Sequence, residues 1–229
     1  MERPGPPSAS PGPGGPSLEP QPRARPSWVL PAGLAAMAVT YVLAFLLRVV
    51  PFWPAMAVLS ALSWWVAWDA SLPARLRPSW PWVRMGVGTG LALYAVFLAG
   101  ALVLRQTPAW PSILDVIDLV KGTASGLVAA LVIVLGTSPG EEVLWRGAVF
   151  ARLAGRLGPG WKPLLAATLL YALFVGLSGS PVLSLAAGVC GAVWTRQRQV
   201  TGSLVPGIVS HALWSTLMFA WFPGLPKPF

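Results

Sequence analysis

The segment SPGEEVLWRG, residues 138–147, places three charged side chains within six positions of one another, directly after an apolar run. On a helix, Glu142 and Arg146 are four residues apart and can pair on one face, whereas Glu141 points in a neighbouring direction. A carboxylate in an ion pair has a structural role, but an unpaired carboxylate in apolar surroundings is suited to take a proton from water. The spacing therefore favours Glu141 as a general base and Glu142–Arg146 as its scaffold. An ordinary charged helix start at a membrane surface is the alternative.

The only histidine of the chain, His211, lies in a second apolar segment, GSLVPGIVSHALWSTLMFAW, and Ser215 follows it by one helical turn. The two side chains therefore share a helix face. An imidazole at membrane depth needs a polar partner, and the two glutamates are the leading candidates; a hydrogen-bonded packing role is the alternative. The single cysteine, Cys190, is expected to be a packing residue, so the sequence offers no disulfide framework and no cysteine-based metal site.

Membrane-spanning helices must position these residues. Of the 229 residues, 55% are hydrophobic and only 10% are charged, whereas soluble domains carry about 25% charged residues. Apolar runs of about 20 residues are typical of membrane-spanning helices, so we predict an all-α polytopic integral membrane bundle with seven or eight transmembrane helices. The apolar segments are 28–47, 52–70, 85–104, 122–137, 162–178, 182–195 and 203–222.

Three regions follow along the chain. Residues 1–27 form a Pro/Gly-rich segment that we expect to be disordered, residues 28–110 hold the first transmembrane helices, and residues 111–229 hold the core with the charged motif. Within this core, PSILDVIDLVK at 111–121 has apolar residues at helical spacing with two aspartates opposite, which predicts an interfacial helix. Ser138-Pro139-Gly140 predicts a helix break, with a new helix that begins near Gly140 and has Glu141 in its first turn.

The net charge of +9 does not indicate nucleic-acid binding, because the basic residues sit at the ends of the apolar segments. If the N-terminus is cytoplasmic, twelve Lys and Arg residues lie in inside segments and four lie in outside segments. The positive-inside rule therefore predicts a cytoplasmic N-terminus, and we expect the protein in the cell membrane.

EEVLWRG together with the later GSLVPGIVSHALWS resembles the CPBP family of intramembrane proteases, which includes the type II CAAX prenyl endopeptidases and bacteriocin-processing relatives. The resemblance covers about residues 125–222. The EExxxR motif is complete as Glu141, Glu142 and Arg146, and the last motif, HxxxN, is present with His211 and with Ser215 in place of the asparagine. The resemblance implies that Glu141 activates water for attack on a peptide bond, and that His211 and the residue at position 215 stabilise the oxyanion.

The middle motif departs from the family pattern. Family members have a helix that ends like FGLxH, whose histidine joins the first glutamate in activating water. The corresponding stretch here is YALFVGLSGSP, which places Ser178 or Gly179 at the histidine position. The family is often called a metalloprotease family, so zinc is the implied cofactor. However, zinc sites use about three protein ligands, and His211 with two glutamates is the most that this chain offers.

Three functions stay open on the sequence. The first is an intramembrane endopeptidase that acts on a membrane-associated or lipidated, CAAX-type peptide, with membrane lipids as its surroundings. The second is a catalytically inactive membrane protein with the same fold, which binds a peptide or a partner. The third is a rhomboid-like serine protease, because GLSG at 176–179 and the later histidine supply a Ser178/His211 dyad.

Overall fold

A computed structural model describes residues 26–69, 71–121 and 124–220, and all regular secondary structure in these ranges is helical. The helices are α1 (Val29–Leu46), α2 (Phe52–Ala67), α3 (Leu72–Arg75), α4 (Trp80–Leu104), α5 (Trp110–Lys121), α6 (Gly126–Leu157), α7 (Trp161–Gly176), α8 (Pro181–Thr201) and α9 (Val205–Ala220). The all-α prediction is confirmed, and each apolar segment contributes to a separate helix. The predicted disordered tail lies outside the described residues, apart from its last two positions.

Several of these helices have the composition of membrane spans. By length and apolar character, α1, α4 and α6 can each cross a membrane, and α2, α7 and α9 are shorter apolar helices. The helix α5 is amphipathic as predicted, with Ile117 and Val120 buried against the bundle and Asp115 and Asp118 exposed. The number of crossings, seven or eight, and the location of α5 at a membrane surface stay predictions.

The predicted helix break at Ser138-Pro139-Gly140 is wrong, because α6 continues through it. A wider π-helical stretch, Ile133–Thr137, comes directly before, and there the Ser138 N–H donates to the Ile133 carbonyl five residues earlier. Proline cannot donate a backbone hydrogen bond and its ring crowds the preceding turn. A π-helical turn widens the backbone at this point, so that the helix continues. Consequently, the two glutamates lie inside a long helix, not at a helix N-terminus.

The glutamates and the residues after them lie at the centre of the bundle. The helix α2 packs against α6. The helices α7 and α8 pack together as an antiparallel pair, and α9 packs against both α4 and the middle of α6. Val143 and Leu144 are completely buried among these helices. The segment after the glutamates is therefore surrounded on all sides by protein, which an ordinary charged helix start at a membrane surface would not be.

One end of the bundle is tied together by Arg75. Its guanidinium pairs with Asp69 at 2.6 Å and donates to the Gly147 carbonyl at 3.0 Å, and its own carbonyl accepts the Leu204 N–H at 3.0 Å. Burial raises the pKa of the Asp69 carboxyl, but hydrogen bonds from Ser71 and Arg75 outweigh burial and bring the pKa below its ordinary value. This clamp joins the turn after α2 to the middle of α6 and the start of α9.

The two ends of the bundle differ in charge. The end with Arg75, which we call the basic end, also carries Arg77, Arg152, Arg156, Lys162, Arg196 and Arg198. At the opposite end, Arg48 after α1 pairs with Asp115 of α5 at 2.5 Å. Glu142 lies only five residues before Gly147, whose carbonyl Arg75 contacts, and it packs against Gly207 near the start of α9. The charged motif is therefore nearer to the basic end.

Candidate active site

Glu142 lies at the centre of a fully buried charged cluster. Its Oε1 accepts one hydrogen bond from Arg146 Nη1 and another from His211 Nδ1, both at 3.1 Å. The exposed fractions of the three residues are 0%, 1% and 6%. The structure thus contains the Glu142–Arg146 pair that the spacing predicted, and His211 has one of the two glutamates as its partner. A buried carboxylate is tolerated only with such partners.

Gly207 makes the close approach of α9 to this carboxylate possible. A Cβ atom at position 207 would lie 2.6 Å from Glu142 Oε2, closer than any ordinary contact. Gly207 precedes His211 by four residues, so both face α6 from the same side of α9. The glycine and the histidine therefore act together, one leaving space for the carboxylate and the other donating to it.

Aromatic rings pack against the histidine and the arginine of this cluster. The indole of Trp194 stacks on the His211 ring, with centroids 3.9 Å apart and planes 15° from parallel. The Arg146 guanidinium lies 4.5 Å from the centre of the Tyr171 ring and 5.2 Å from that of Trp194, within range of cation–π attraction. We did not identify Trp194 or Tyr171 from the sequence. The only sequence signal was an aromatic residue on a largely apolar helix, which predicts packing equally well.

Glu141 has different surroundings from Glu142. It is only partly buried, and its Oε2 accepts a hydrogen bond of 2.6 Å from the Tyr171 hydroxyl. Its side chain lines a cavity of about 110 Å³, which is also lined by His211, Ser215 and Trp194. The structure therefore brings the predicted residues Glu141, His211 and Ser215 to one cavity. Glu142 and Arg146 lie behind His211, consistent with the scaffold role predicted for them.

The cavity continues away from the basic end. Apart from its polar floor, it is lined by apolar and aromatic side chains of α1, α2, α5, α8 and α9, among them Phe45, Trp53, Val116, Leu183 and Phe219. Carboxylate, imidazole and hydroxyl groups thus converge at the floor of a mostly apolar pocket. This arrangement is typical of a ligand or substrate site.

The residues of α7 that reach the site are not the two, Ser178 and Gly179, that the motif comparison placed at the histidine position. Tyr171 and Val175, one turn apart, line the cavity with Glu141. Ser178 and Gly179 lie beyond the end of α7, and they line another pocket next to Arg48 at the opposite end of the bundle. In this cavity the residues of α7 that accompany Glu141 are therefore a tyrosine and a valine, and Phe174 of α7 lines a second, smaller cavity with Glu141.

Ser178 and His211 are not brought together as a dyad. The Ser178 hydroxyl accepts the Ser180 N–H at 3.2 Å in the turn between α7 and α8, while His211 Nδ1 donates to Glu142. The two residues line different cavities. A serine nucleophile must lie within hydrogen-bond reach of its base, so this arrangement does not favour the rhomboid-like alternative.

The residues do not fit the zinc site that the family resemblance implied. Within the described ranges, no group of three or more His, Cys, Asp or Glu side chains is placed to hold a metal ion. His211 Nδ1 and Glu142 Oε1 bind each other, and the Arg146 guanidinium beside them repels a cation. Zinc sites use about three protein ligands, and these residues do not supply such a set.

A comparison with protein families identifies the region that carries these residues. Residues 123–217 match the family model described as type II CAAX prenyl endopeptidase Rce1-like. The matched range covers α6 to α9 almost completely and includes both motifs. No curated protein and no solved structure matches the chain.

Proposed function

Because residues 123–217 match the family model described as type II CAAX prenyl endopeptidase Rce1-like, we propose that this integral membrane protein is an intramembrane endopeptidase. Its substrate would be a membrane-associated or lipidated peptide of the CAAX type. The observation that carries the proposal is the position of Glu141, which faces the cavity that His211 and Ser215 also line. The family match supports a protease. The carboxylate, imidazole and hydroxyl groups at the cavity floor are the kinds of group that peptide-bond hydrolysis uses.

The proposed reaction uses Glu141 as the base. Its carboxylate takes a proton from water as the water oxygen attacks the scissile carbonyl carbon, and the carbonyl oxygen becomes an oxyanion. His211 Nδ1 is occupied by Glu142, so Nε2 is the nitrogen left to donate to the oxyanion when the ring is protonated, and the Ser215 hydroxyl is a second donor. Glu141 then returns its proton to the leaving amine as the C–N bond breaks.

A second function has one observation in its favour. The chain has a single histidine, and α7 presents a tyrosine, a phenylalanine and a valine to the cavities that Glu141 lines. A protein with this fold and a weakened or absent reaction would still hold a peptide in the same cavity. Binding without hydrolysis is therefore the alternative that an assay must separate from catalysis.

The test is a cleavage assay with the purified protein in detergent, using a panel of prenylated and unprenylated peptides with CAAX-type ends. We expect Glu141→Gln to abolish cleavage, because an amide cannot take the proton, whereas Asp118→Asn on the exposed side of α5 leaves the rate unchanged. Ser178→Ala should also be without effect. Loss of activity in Ser178→Ala would support the rhomboid-like serine mechanism instead. Binding of peptides without any cleavage would favour the non-catalytic alternative.

We also propose that the basic end of the bundle, and with it the N-terminus, faces the cytoplasm of a cell membrane. The basic residues of three interhelical segments meet there, while Arg48 at the opposite end is paired with Asp115. Cytoplasmic segments of membrane proteins carry the excess of Lys and Arg. Peptide substrate and membrane lipids are the expected partners.

A further inference from the structure

We propose that Tyr171 is the positioning residue for the Glu141 carboxylate, in place of a second catalytic histidine. This inference rests on the proposed peptidase function. Tyr171 and Val175 are the side chains of α7 that line the cavity with Glu141, and of these two only the tyrosine can form a hydrogen bond. Its hydroxyl is 2.6 Å from Glu141 Oε2, which is a short charge-assisted bond.

The Tyr171 ring is held in place from three sides. The Arg146 guanidinium lies over one face at 4.5 Å, and the Trp145 ring lies at a centroid distance of 5.3 Å. On α8, Gly191 gives the ring space, because a Cβ atom there would lie 2.9 Å from Tyr171 Cδ1. A ring with these neighbours cannot change rotamer without disturbing the buried cluster, so its hydroxyl occupies a defined position.

The hydrogen bond determines which oxygen of Glu141 is available. Within the described part of the chain, the Tyr171 hydroxyl is the group that binds the Glu141 carboxylate, and it occupies Oε2. Oε1 is then the oxygen left for water. A carboxylate held at one oxygen presents the other in a fixed direction, which lowers the entropic cost of reaching the reactive geometry.

A phenol cannot replace an imidazole as a second base. The ordinary pKa of tyrosine is about 10 and that of histidine about 6.5, so at neutral pH the hydroxyl donates to the carboxylate and does not take a proton from water. Tyr171 therefore orients Glu141, and Glu141 alone accepts the proton. Removing the hydroxyl should slow the chemical step and leave peptide binding intact.

The experiment compares Tyr171→Phe with Tyr94→Phe, a tyrosine of α4 that does not line the cavity. For a peptide that the wild-type protein cleaves, we expect kcat of Tyr171→Phe to fall by about ten-fold or more with KM within about two-fold. Tyr94→Phe should keep wild-type kinetics. Unchanged kcat in Tyr171→Phe, or a loss that appears in KM alone, would overturn the positioning role while leaving the peptidase function in place.

A second readout does not depend on turnover. Infrared spectra of protein with ring-labelled tyrosine contain contributions from Tyr41, Tyr94 and Tyr171. The component that disappears in Tyr171→Phe should be the one that shifts in Glu141→Gln, because that variant changes the acceptor of its hydroxyl. If Glu141→Gln shifts no tyrosine component, the hydrogen bond is absent and the inference fails. If the bond is present but no peptide of the panel is cleaved, the proposed function fails instead.

Discussion

Replacing Gly207 by alanine tests whether the buried cluster depends on the close approach of α9. A Cβ atom at position 207 would lie 2.6 Å from Glu142 Oε2 and 3.3 Å from its Cδ, so the carboxylate must move. A carboxylate pushed away from α9 is expected to weaken its 3.1 Å bonds to Arg146 and His211. Hydrogen bonds to charged groups contribute about 1.5–3 kcal/mol each, and breaking a buried ion pair costs about 3–5 kcal/mol.

We therefore expect Gly207→Ala to lower the free energy of unfolding by about 3 kcal/mol. For a chain of this size, 1 kcal/mol corresponds to about 2–4 °C in Tm, so the apparent Tm in detergent should fall by about 6–12 °C. Intrinsic tryptophan fluorescence is a direct probe of unfolding, since the chain has 13 tryptophans. The matched control is Gly88→Ala in α4, where a Cβ atom would meet nothing within 4 Å. Alanine in a helix there should stabilise by about 0.5–1 kcal/mol.

A double-mutant cycle identifies the cause of the loss. In a Glu142→Ala background there is no carboxylate for the new methyl group to displace, so adding Gly207→Ala should cost little. The two changes should thus be strongly non-additive, with a coupling energy of about 2–3 kcal/mol. Gly207→Ala with the stability of Gly88→Ala, or a loss of the same size in both backgrounds, would refute the reasoning.

Two further predictions concern the site and its orientation. Val175→His adds an imidazole to the cavity beside Glu141 and should raise kcat by about ten-fold or more, since general base groups contribute about 10²–10⁴-fold; Ser178→His, at one of the two positions that the motif comparison leaves open, should not. A gain in Ser178→His alone would mean that the α7 assignment is wrong. In intact cells, with the native cysteine replaced by serine, a membrane-impermeant maleimide should label Ser112→Cys of α5 but not Arg156→Cys at the basic end, both of which are exposed positions. The reverse pattern would overturn the proposed orientation.

Local spacing was enough to identify much of this site. Two residues four apart on a helix share one face, so the pairing of Glu142 with Arg146 could be predicted from their positions alone. Composition and apolar segment lengths gave the all-helical class, because helices satisfy the backbone groups of a chain this apolar. The motifs around Glu141 and His211 were enough to predict the resemblance to the type II CAAX prenyl endopeptidases, and residues 123–217 match a family model of that description.

Tertiary packing decided the features that depend on contacts between distant residues. Whether His211 meets Glu141 or Glu142 depends on the rotation of α9 against α6, and the space left by Gly207 places it on Glu142. The continuation of α6 through Pro139 likewise depends on neighbouring helices and a π-helical turn, which local rules for proline do not contain. Tyr171 lies opposite Glu141, and Ser178 lies at the end of the bundle near Arg48. Which residue of α7 lies level with Glu141 depends on the position of α7 along the bundle axis, and motif spacing does not contain this information.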